Sequence, residues 1–382
     1  NELGFLETQI REIATKIGAE VITLINRNPF SLVKVLPRFS FQDVERLCKR
    51  LSLRITEEQR ILAGTEFYLG DVENRLRHTC MPVENTLQRV SELLSINKEA
   101  ISKTLEQNKK EFVYRERRSK EVVASSNSAK RDHKIANEMK QIIDEHKPLS
   151  KGMVFDGRNI ETSEGITLSD EQIDAINAAV KSPISVITGG PGSGKTTLVQ
   201  GLVSALKTLN ADARLSAPTG RAAKRISETP GLSDLRPSTI HMFLAKEKAS
   251  RSSSEFDVMI VDEASMIDVE LMVELLEAIP AGVSIIFIGD VDQLPPVGPG
   301  QPFKDLIESE MVQVSRLTGN FRQASFSDTI KAARNIIQGK TPILSSDIAQ
   351  SDFTFLECPP LKQAETILNL YFDILPSKFK ID

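Results

Sequence analysis

Residues 186–206 read VITGGPGSGKTTLVQGLVSAL. An apolar run over 184–188 stops at Gly189, four glycines follow within six positions, and then come Lys195 and Thr196. Leu198, Leu202 and Leu206 repeat every four residues, which predicts a helix with one apolar face. Gly189 to Thr196 satisfies G-x-x-x-x-G-K-[ST] between a strand and a helix, the context in which that pattern cradles phosphates. Glycines let backbone N–H groups wrap the anion, and the helix N-terminus adds a favourable field. Lys195 is placed to reach β- and γ-phosphates, and the Thr196 hydroxyl to bind Mg²⁺. A glycine-rich turn with a surface lysine would need neither the strand nor the helix.

Outward from this loop the texture stays the same. ISVIT, ARLSAP, DVMIVDE, VSIIFIGD and MVQVSRL are short β-rich runs, most of them continuously apolar, and helical stretches at 194–209, 219–228, 268–279 and 302–309 separate them. Alternating strands and helices with apolar strands predict a parallel sheet covered on both faces. In such a sheet ligands bind outside the carboxyl ends of the strands. Three further stretches end there. DVMIVDE delivers Asp262, a carboxylate suited to Mg²⁺, and Glu263, suited to orient or deprotonate water. IIFIGDVDQLPPVGPG, residues 285–300, delivers Gln293, whose amide can donate to a γ-phosphate oxygen or a water. Pro295 and Pro296 stiffen the loop behind it, so loss of that contact could be passed on and not absorbed. LTGNFRQ places Arg322 past the next strand, a guanidinium suited to charge on a transferring phosphoryl group.

Two sets of residues are candidates for nucleic acid. Thr219, Gly220 and Arg221 open a helix after a strand, so N–H groups and a guanidinium could meet a phosphate; Thr239 and His241 could do likewise. The run Lys109, Lys110, Arg115, Arg117, Arg118, Lys120 interleaves Phe112 and Tyr114 and could track a backbone and stack bases, or be a solvated strand or linker. Ser169 and Gln172 in LSDEQIDAI read as a helix capping box.

Residues 1–110 read as helices, and SSNSAK (125–130) as part of a linker or hinge near 120–132. The expected organisation is a helical region over 1–110, a basic segment and linker helix over 111–150, an ATPase domain over 151–345, and the start of a truncated domain over 346–382. Basic residues outnumber acidic ones 26 to 22 in the first 150 positions, and acidic outnumber basic 30 to 22 thereafter, for a net charge of −4. An acidic total is compatible with a local basic face. No apolar run reaches the roughly 18 residues of a membrane span, and the start is not a signal peptide. The three cysteines, Cys48, Cys80 and Cys358, are too far apart in sequence for a local metal site or a disulfide framework, so a reducing, cytoplasmic setting is expected.

In order and wording, LSDEQIDAI (168–176), TGGPGSGKTT (188–197), APTGRAAKRI (217–226), TIHMFL (239–244), VDEASM (261–266), GDVDQLPPVGPG (289–300) and NFRQ (320–323) resemble the superfamily 1 DNA helicases of the RecD branch, over about residues 165–345. NPFSLVKVLPRFSF (28–41) resembles the helix-hairpin-helix of the stand-alone RecD-like proteins, though Arg38 and Ser40 stand where that hairpin usually has glycines. The resemblance implies a RecA-like P-loop NTPase domain behind an all-helical N-terminal region. It also implies ATP-driven translocation on single-stranded DNA, 5′ to 3′, with unwinding at duplex junctions, in DNA repair or recombination. ATP and Mg²⁺ are the implied cofactors and single-stranded DNA the partner, with the protein a monomer. Gln172, Gly190, Gly192, Ser193, Gly194, Lys195, Thr196 and Thr197 would bind nucleotide, Gln172 through adenine. Thr196 and Asp262 would hold the metal, and Lys195, Glu263, Gln293 and Arg322 would carry catalysis. Pro218, Thr219, Arg221, Thr239 and His241 would touch DNA. Nothing after Thr341 matches the motifs of a second motor domain, so an N-terminal portion of a helicase is expected, inactive in unwinding as it stands. A phosphotransferase for a small molecule, or a DNA-binding module with a non-hydrolysing ATP site, are the alternatives.

Overall fold

The computed structural model describes residues 7–35, 40–117, 119–149, 156, 158, 160, 167–249, 256–318, 327–344 and 351–379. The chain divides into two compact units. One holds residues 1–144 with 266–280 and 295–302, the other residues 145–265, 281–294 and 303–382.

The first unit begins with α1 (Glu7–Lys16), α2 (Val21–Arg27), α3 (Ser31–Val35), α4 (Phe41–Arg50) and α5 (Glu57–Leu76). Ser40 and Thr56 close capping boxes with Asp43 and Gln59, which explains where α4 and α5 start. Residues 36–39 of the hairpin, Arg38 included, lie outside the described residues. The region is not all-helical. After α5 come β1 (Met81–Pro82), α6 (Val83–Leu94) and α7 (Lys98–Gln107). A hairpin of β2 (Phe112–Arg117) and β3 (Lys120–Ser125) leads directly into α8 (Ser126–Asp144). The three strands form an antiparallel sheet in the order β1–β3–β2. The stretch expected as a linker is therefore strand and helix: the Ser125 hydroxyl accepts from the Ser128 N–H at 3.2 Å, fixing the first turn of α8. Phe30 stacks on Phe41 at 5.1 Å in a core shared with Leu47, Ile61, Leu94 and Leu105. Phe112 is part of that core, so it is not available for base stacking; Arg115 is tied to Asp132 at 2.9 Å. Arg118 lies outside the described residues.

In the second unit, α9 (Asp170–Ala179) precedes β4 (Ile184–Gly189). Then come α10 (Lys195–Thr208), β5 (Ala213–Ala217), α11 (Gly220–Ser227), β6 (Ser238–Thr239), α12 (Ile240–Ala249) and β7 (Val258–Val261). Next, α13 (Val269–Ala278) groups with the first unit. Then β8 (Ser284–Gly289), α14 (Pro302–Ser309), β9 (Gln313–Leu317) and α15 (Asp328–Ile337) follow, and α16 (Gln363–Asn369) runs through a π-helical turn to α17 (Leu375–Phe379). The sheet order is β6–β5–β7–β8–β4–β9, and every pair is parallel. All residues of β4, β7 and β8 are buried, as expected for strands covered on both faces. Ile187, Ile260, Ile286 and Ile288 share one core with Leu198, Leu202 and Leu206 of α10. Burying each such leucine contributes about 1.5–3 kcal/mol. The apolar stripe read from the sequence is thus what seats α10, and with it the glycine loop, against β4.

Candidate nucleotide and nucleic-acid site

The loop between β4 and α10 turns through Gly192 (φ +80°) and Gly194 (φ +81°), left-handed backbone that glycine adopts without penalty. Gly194 is the N-cap of α10, so the N–H groups of the first turn have no intrahelical acceptor and point out of the helix end. The Lys195 Nζ lies across the loop, donating to the carbonyls of Gly189 at 2.5 Å and Gly190 at 3.2 Å. The Ser193 hydroxyl is buried with no hydrogen-bond partner among the described residues.

A cavity of about 680 Å³ opens over this loop. Residues 190–197 line it together with Gln172, Glu263 and Gln293, which come from α9 and from the ends of β7 and β8. Strand order explains the meeting: β8 lies between β4 and β7, so its carboxyl end brings Gln293 between the glycine loop and Glu263. Gln293 is held from behind. Its N–H donates to the Asp290 carbonyl at 3.2 Å, the Asp292 N–H to the Asp290 carboxylate at 3.1 Å, and the Val291 N–H to the Thr188 hydroxyl of β4 at 3.2 Å.

Gln172 completes the capping box and is bonded to the glycine loop as well. It is 3% exposed; its Oε1 accepts from the Ser169 N–H at 2.9 Å, completing the capping box, while its Nε2 donates to the Gly194 carbonyl at 3.0 Å. One amide N–H and one lone pair remain for a ligand.

Glu263 has φ +53°. Left-handed backbone costs a non-glycine residue about 1–2 kcal/mol, and such strain gathers where a side chain must be aimed. Asp262, beside it, is not part of the cavity wall. Burial pushes its carboxyl above the usual range and the charge of Glu263 adds to this, while the backbone N–H of Glu263 and the charges of Arg225 and Lys195 oppose it. Arg225 is a residue the motif reading passed over. It reaches from α11 to donate to the Thr196 hydroxyl at 3.2 Å, with its other terminal nitrogen 3.9 Å from Glu263. Its spacing of four from Arg221 would have put both on one helix face.

The chemistry of these donors fits a nucleoside triphosphate with Mg²⁺. The cavity is within the usual range for a small-molecule site. Among the described residues no group of three or more His, Cys, Asp or Glu could hold a metal by itself. Mg²⁺ takes one or two protein ligands and completes its shell with phosphates and water.

The nucleic-acid candidates lie at the same sheet edge. Thr219 follows β5 and caps α11 through the Ala222 N–H at 3.2 Å; Thr239 ends β6 and accepts from the Met242 N–H at 3.1 Å. β5 and β6 are neighbours, with Ala217 opposite Thr239, so two helix N-termini open side by side. Pro218 is half-buried, and Arg221 and His241 are exposed. Arg322 lies outside the described residues.

Glycine loop, helix N-terminus, acidic strand end and sheet order define a P-loop nucleotide-binding domain of RecA-like architecture. Residues 167–353 match an AAA domain family, and residues 1–80 match the family described as the ATP-dependent RecD2 DNA helicase HHH domain. With both in this order, the chain is similar to the RecD-like helicases. It is 35% identical over 180 residues to the ATP-dependent RecD2 DNA helicase of Deinococcus radiodurans, covering 46% of this chain and 24% of that one. It is 34% identical over 179 residues to the RecBCD enzyme subunit RecD of Mycobacterium tuberculosis, covering 40% of this chain and 31% of that one. The chain thus spans about a quarter of the first relative and under a third of the second. Among solved structures, the Pif1 helicase from Candida albicans aligns at 24% identity over 51% of this chain and 50% of that chain, with a TM-score of 0.35. No helix among the described residues is long and apolar enough to cross a membrane.

Proposed function

We propose that this chain is the nucleotide-binding part of an ATP-dependent motor that moves on single-stranded DNA, 5′ to 3′, and unwinds duplex junctions in DNA repair or recombination. The observation that carries this is the meeting of Lys195, Thr196, Glu263 and Gln293 in one cavity, with the N-termini of α11 and α12 open at the ends of the neighbouring strands β5 and β6. Lys195 and the N–H groups of the loop bind the phosphates. Thr196 and Asp262 would hold Mg²⁺, which would supply charge neutralisation on the phosphoryl oxygens. Glu263 orients the attacking water and accepts its proton. Gln293 donates a hydrogen bond at the γ-phosphate end, a contact that exists only while that phosphoryl group is present. Pro218, Thr219, Arg221, Thr239 and His241 grip the DNA backbone, and Arg322 adds positive charge in the transition state. The protein acts as a cytoplasmic monomer.

The test uses the full-length protein. ATP turnover should rise on adding single-stranded DNA, and duplexes with a 5′ tail should be unwound in preference to those with a 3′ tail. Glu263→Gln should abolish turnover and keep nucleotide binding. Turnover indifferent to DNA would point instead to a small-molecule phosphotransferase, and unchanged turnover in Glu263→Gln would remove that residue as the base.

A further inference from the structure

Arg225 has no role in the mechanism above, yet it touches two of its parts. Its Nη2 donates to the Thr196 hydroxyl, the oxygen assigned to Mg²⁺, at 3.2 Å, and its Nη1 lies 3.9 Å from the carboxylate of Glu263. The side chain is not packed in place: it is 65% exposed, against 22% for Glu263, and it lines the cavity over the glycine loop. It is rooted on α11, the helix that Thr219 caps and that carries Arg221 one turn earlier. Residues four apart share a helix face. The same short helix therefore offers one guanidinium to the nucleic-acid edge and one to the metal end of the nucleotide site.

A guanidinium and a divalent cation cannot both sit at the Thr196 oxygen without strong repulsion, because Mg²⁺ binds oxygen at about 2.0–2.1 Å and the guanidinium is already in hydrogen-bond contact. We propose that Arg225 is a positioning residue that competes with Mg²⁺ for Thr196, so that binding of the metal–nucleotide pair and the placement of α11 on DNA are linked. This rests on the reading of the cavity as an ATP site. Arrival of the metal displaces the guanidinium from Thr196 and leaves it to Glu263 alone; the movement is carried by α11 to Thr219 and Arg221. Coupling between two sites is reciprocal, so DNA that repositions α11 must change the affinity for the metal–nucleotide pair by the same factor.

The experiment titrates full-length protein with a fluorescent ADP analogue, in Mg²⁺ or in EDTA, with and without oligo-dT. In the wild type, oligo-dT should change the affinity measured in Mg²⁺ by a factor on the order of 5 or more and leave the EDTA value unaltered. Arg225→Ala should bind Mg–nucleotide at least as tightly as the wild type without DNA, and oligo-dT should no longer change it. Arg225→Lys, which keeps the charge but not the planar fork, should restore part of the effect. An Arg225→Ala protein with the wild-type response to oligo-dT overturns the proposal, as does equal coupling in EDTA. Failure of the wild type to bind nucleotide at all would instead overturn the reading of the site. Arg225 is exposed, so unfolding of the variant is not expected; a melting curve checks this, and Arg225→Gln, which retains a donor and loses the charge, should behave as alanine does.

Discussion

Replacing Gln172 with alanine separates a structural glutamine from one that only reads a base. In the wild type the side chain makes two hydrogen bonds in a buried position, one accepted from the Ser169 N–H at 2.9 Å and one donated to the Gly194 carbonyl at 3.0 Å. The other half of the capping box, from the Gln172 N–H to the Ser169 hydroxyl, is made by the backbone and survives the change. Gly194 also keeps a partner, because its carbonyl accepts from the Leu198 N–H at 2.9 Å. The loss is therefore two net hydrogen bonds, each about 1 kcal/mol, or about 2 kcal/mol together. For a unit of this size that is a fall in melting temperature of about 4–8 °C, and it should be present without any nucleotide. Differential scanning fluorimetry on nucleotide-free protein measures it. Gln172→Glu sharpens the test: it keeps the acceptor for Ser169 but sets a carboxylate oxygen against the Gly194 carbonyl. Its deficit should match or exceed that of alanine at neutral pH and shrink in acid, where the protonated carboxyl can donate. If Gln172→Ala melts with the wild type and loses only preference for adenine over guanine nucleotides, the bond to Gly194 contributes nothing and the argument fails.

Asp262→Asn should stabilise the fold at the expense of the metal. Burial raises the Asp262 pKa, so the folded protein holds that proton more tightly than the unfolded chain. Its contribution is fullest at acid pH and is lost as pH rises from the ordinary carboxylate range through the raised value. Urea midpoints should fall over that window in the wild type and not in the variant. The variant should be the more stable at pH 8 and should show no Mg²⁺ dependence of nucleotide binding; lower stability at pH 8 contradicts the reasoning. Gly298→Ala would place a Cβ 1.7 Å from the Asp268 carboxylate that caps α13 through the Leu271 N–H. Losing that cap costs about 1 kcal/mol, whereas Gly70→Ala inside α5 meets nothing within 4 Å and should stabilise by about 0.5–1 kcal/mol; urea unfolding of the pair should move in opposite directions.

The second unit was legible because its signals are local. Continuous apolar runs bounded by glycine, leucines every fourth residue and a capping box each specify one element within one stretch of chain. The helices expected at 194–209 and 219–228 accordingly lie within one residue of α10 and α11 at each end. β6 is two residues long and exists through its pairing with β5, so no pattern within it could announce a strand. The β2–β3 hairpin was hidden by its charge. Its Lys and Arg residues left it open as a nucleic-acid-binding run or a solvated strand or linker, while Phe112 and the short run Val122–Ala124 are what bury it. Arg225 was hidden for a different reason. Its partner Thr196 lies 29 residues away, and only the sheet order brings α11 beside the glycine loop.

The loop from Gln293 to Pro302 shows where sequence reasoning stopped short of a destination. Its beginning is fixed to β4 by the bond from the Val291 N–H to Thr188, and Gln293 faces the nucleotide cavity. Its continuation, residues 295–302, packs within the helical unit: the Gly300 N–H donates to the Arg77 carbonyl at the end of α5, and the Pro299 carbonyl accepts from the Val269 N–H at the start of α13, both at 2.9 Å. Four prolines, at 295, 296, 299 and 302, fix φ through this span. A connection so constrained cannot take up a displacement of Gln293 by local rotation. Leu294 and Val297 are 87% and 82% exposed, whereas Pro296 is buried, so the loop is held by its backbone bonds and by that proline. The stiff loop read from the sequence continues into a segment that groups with the first unit.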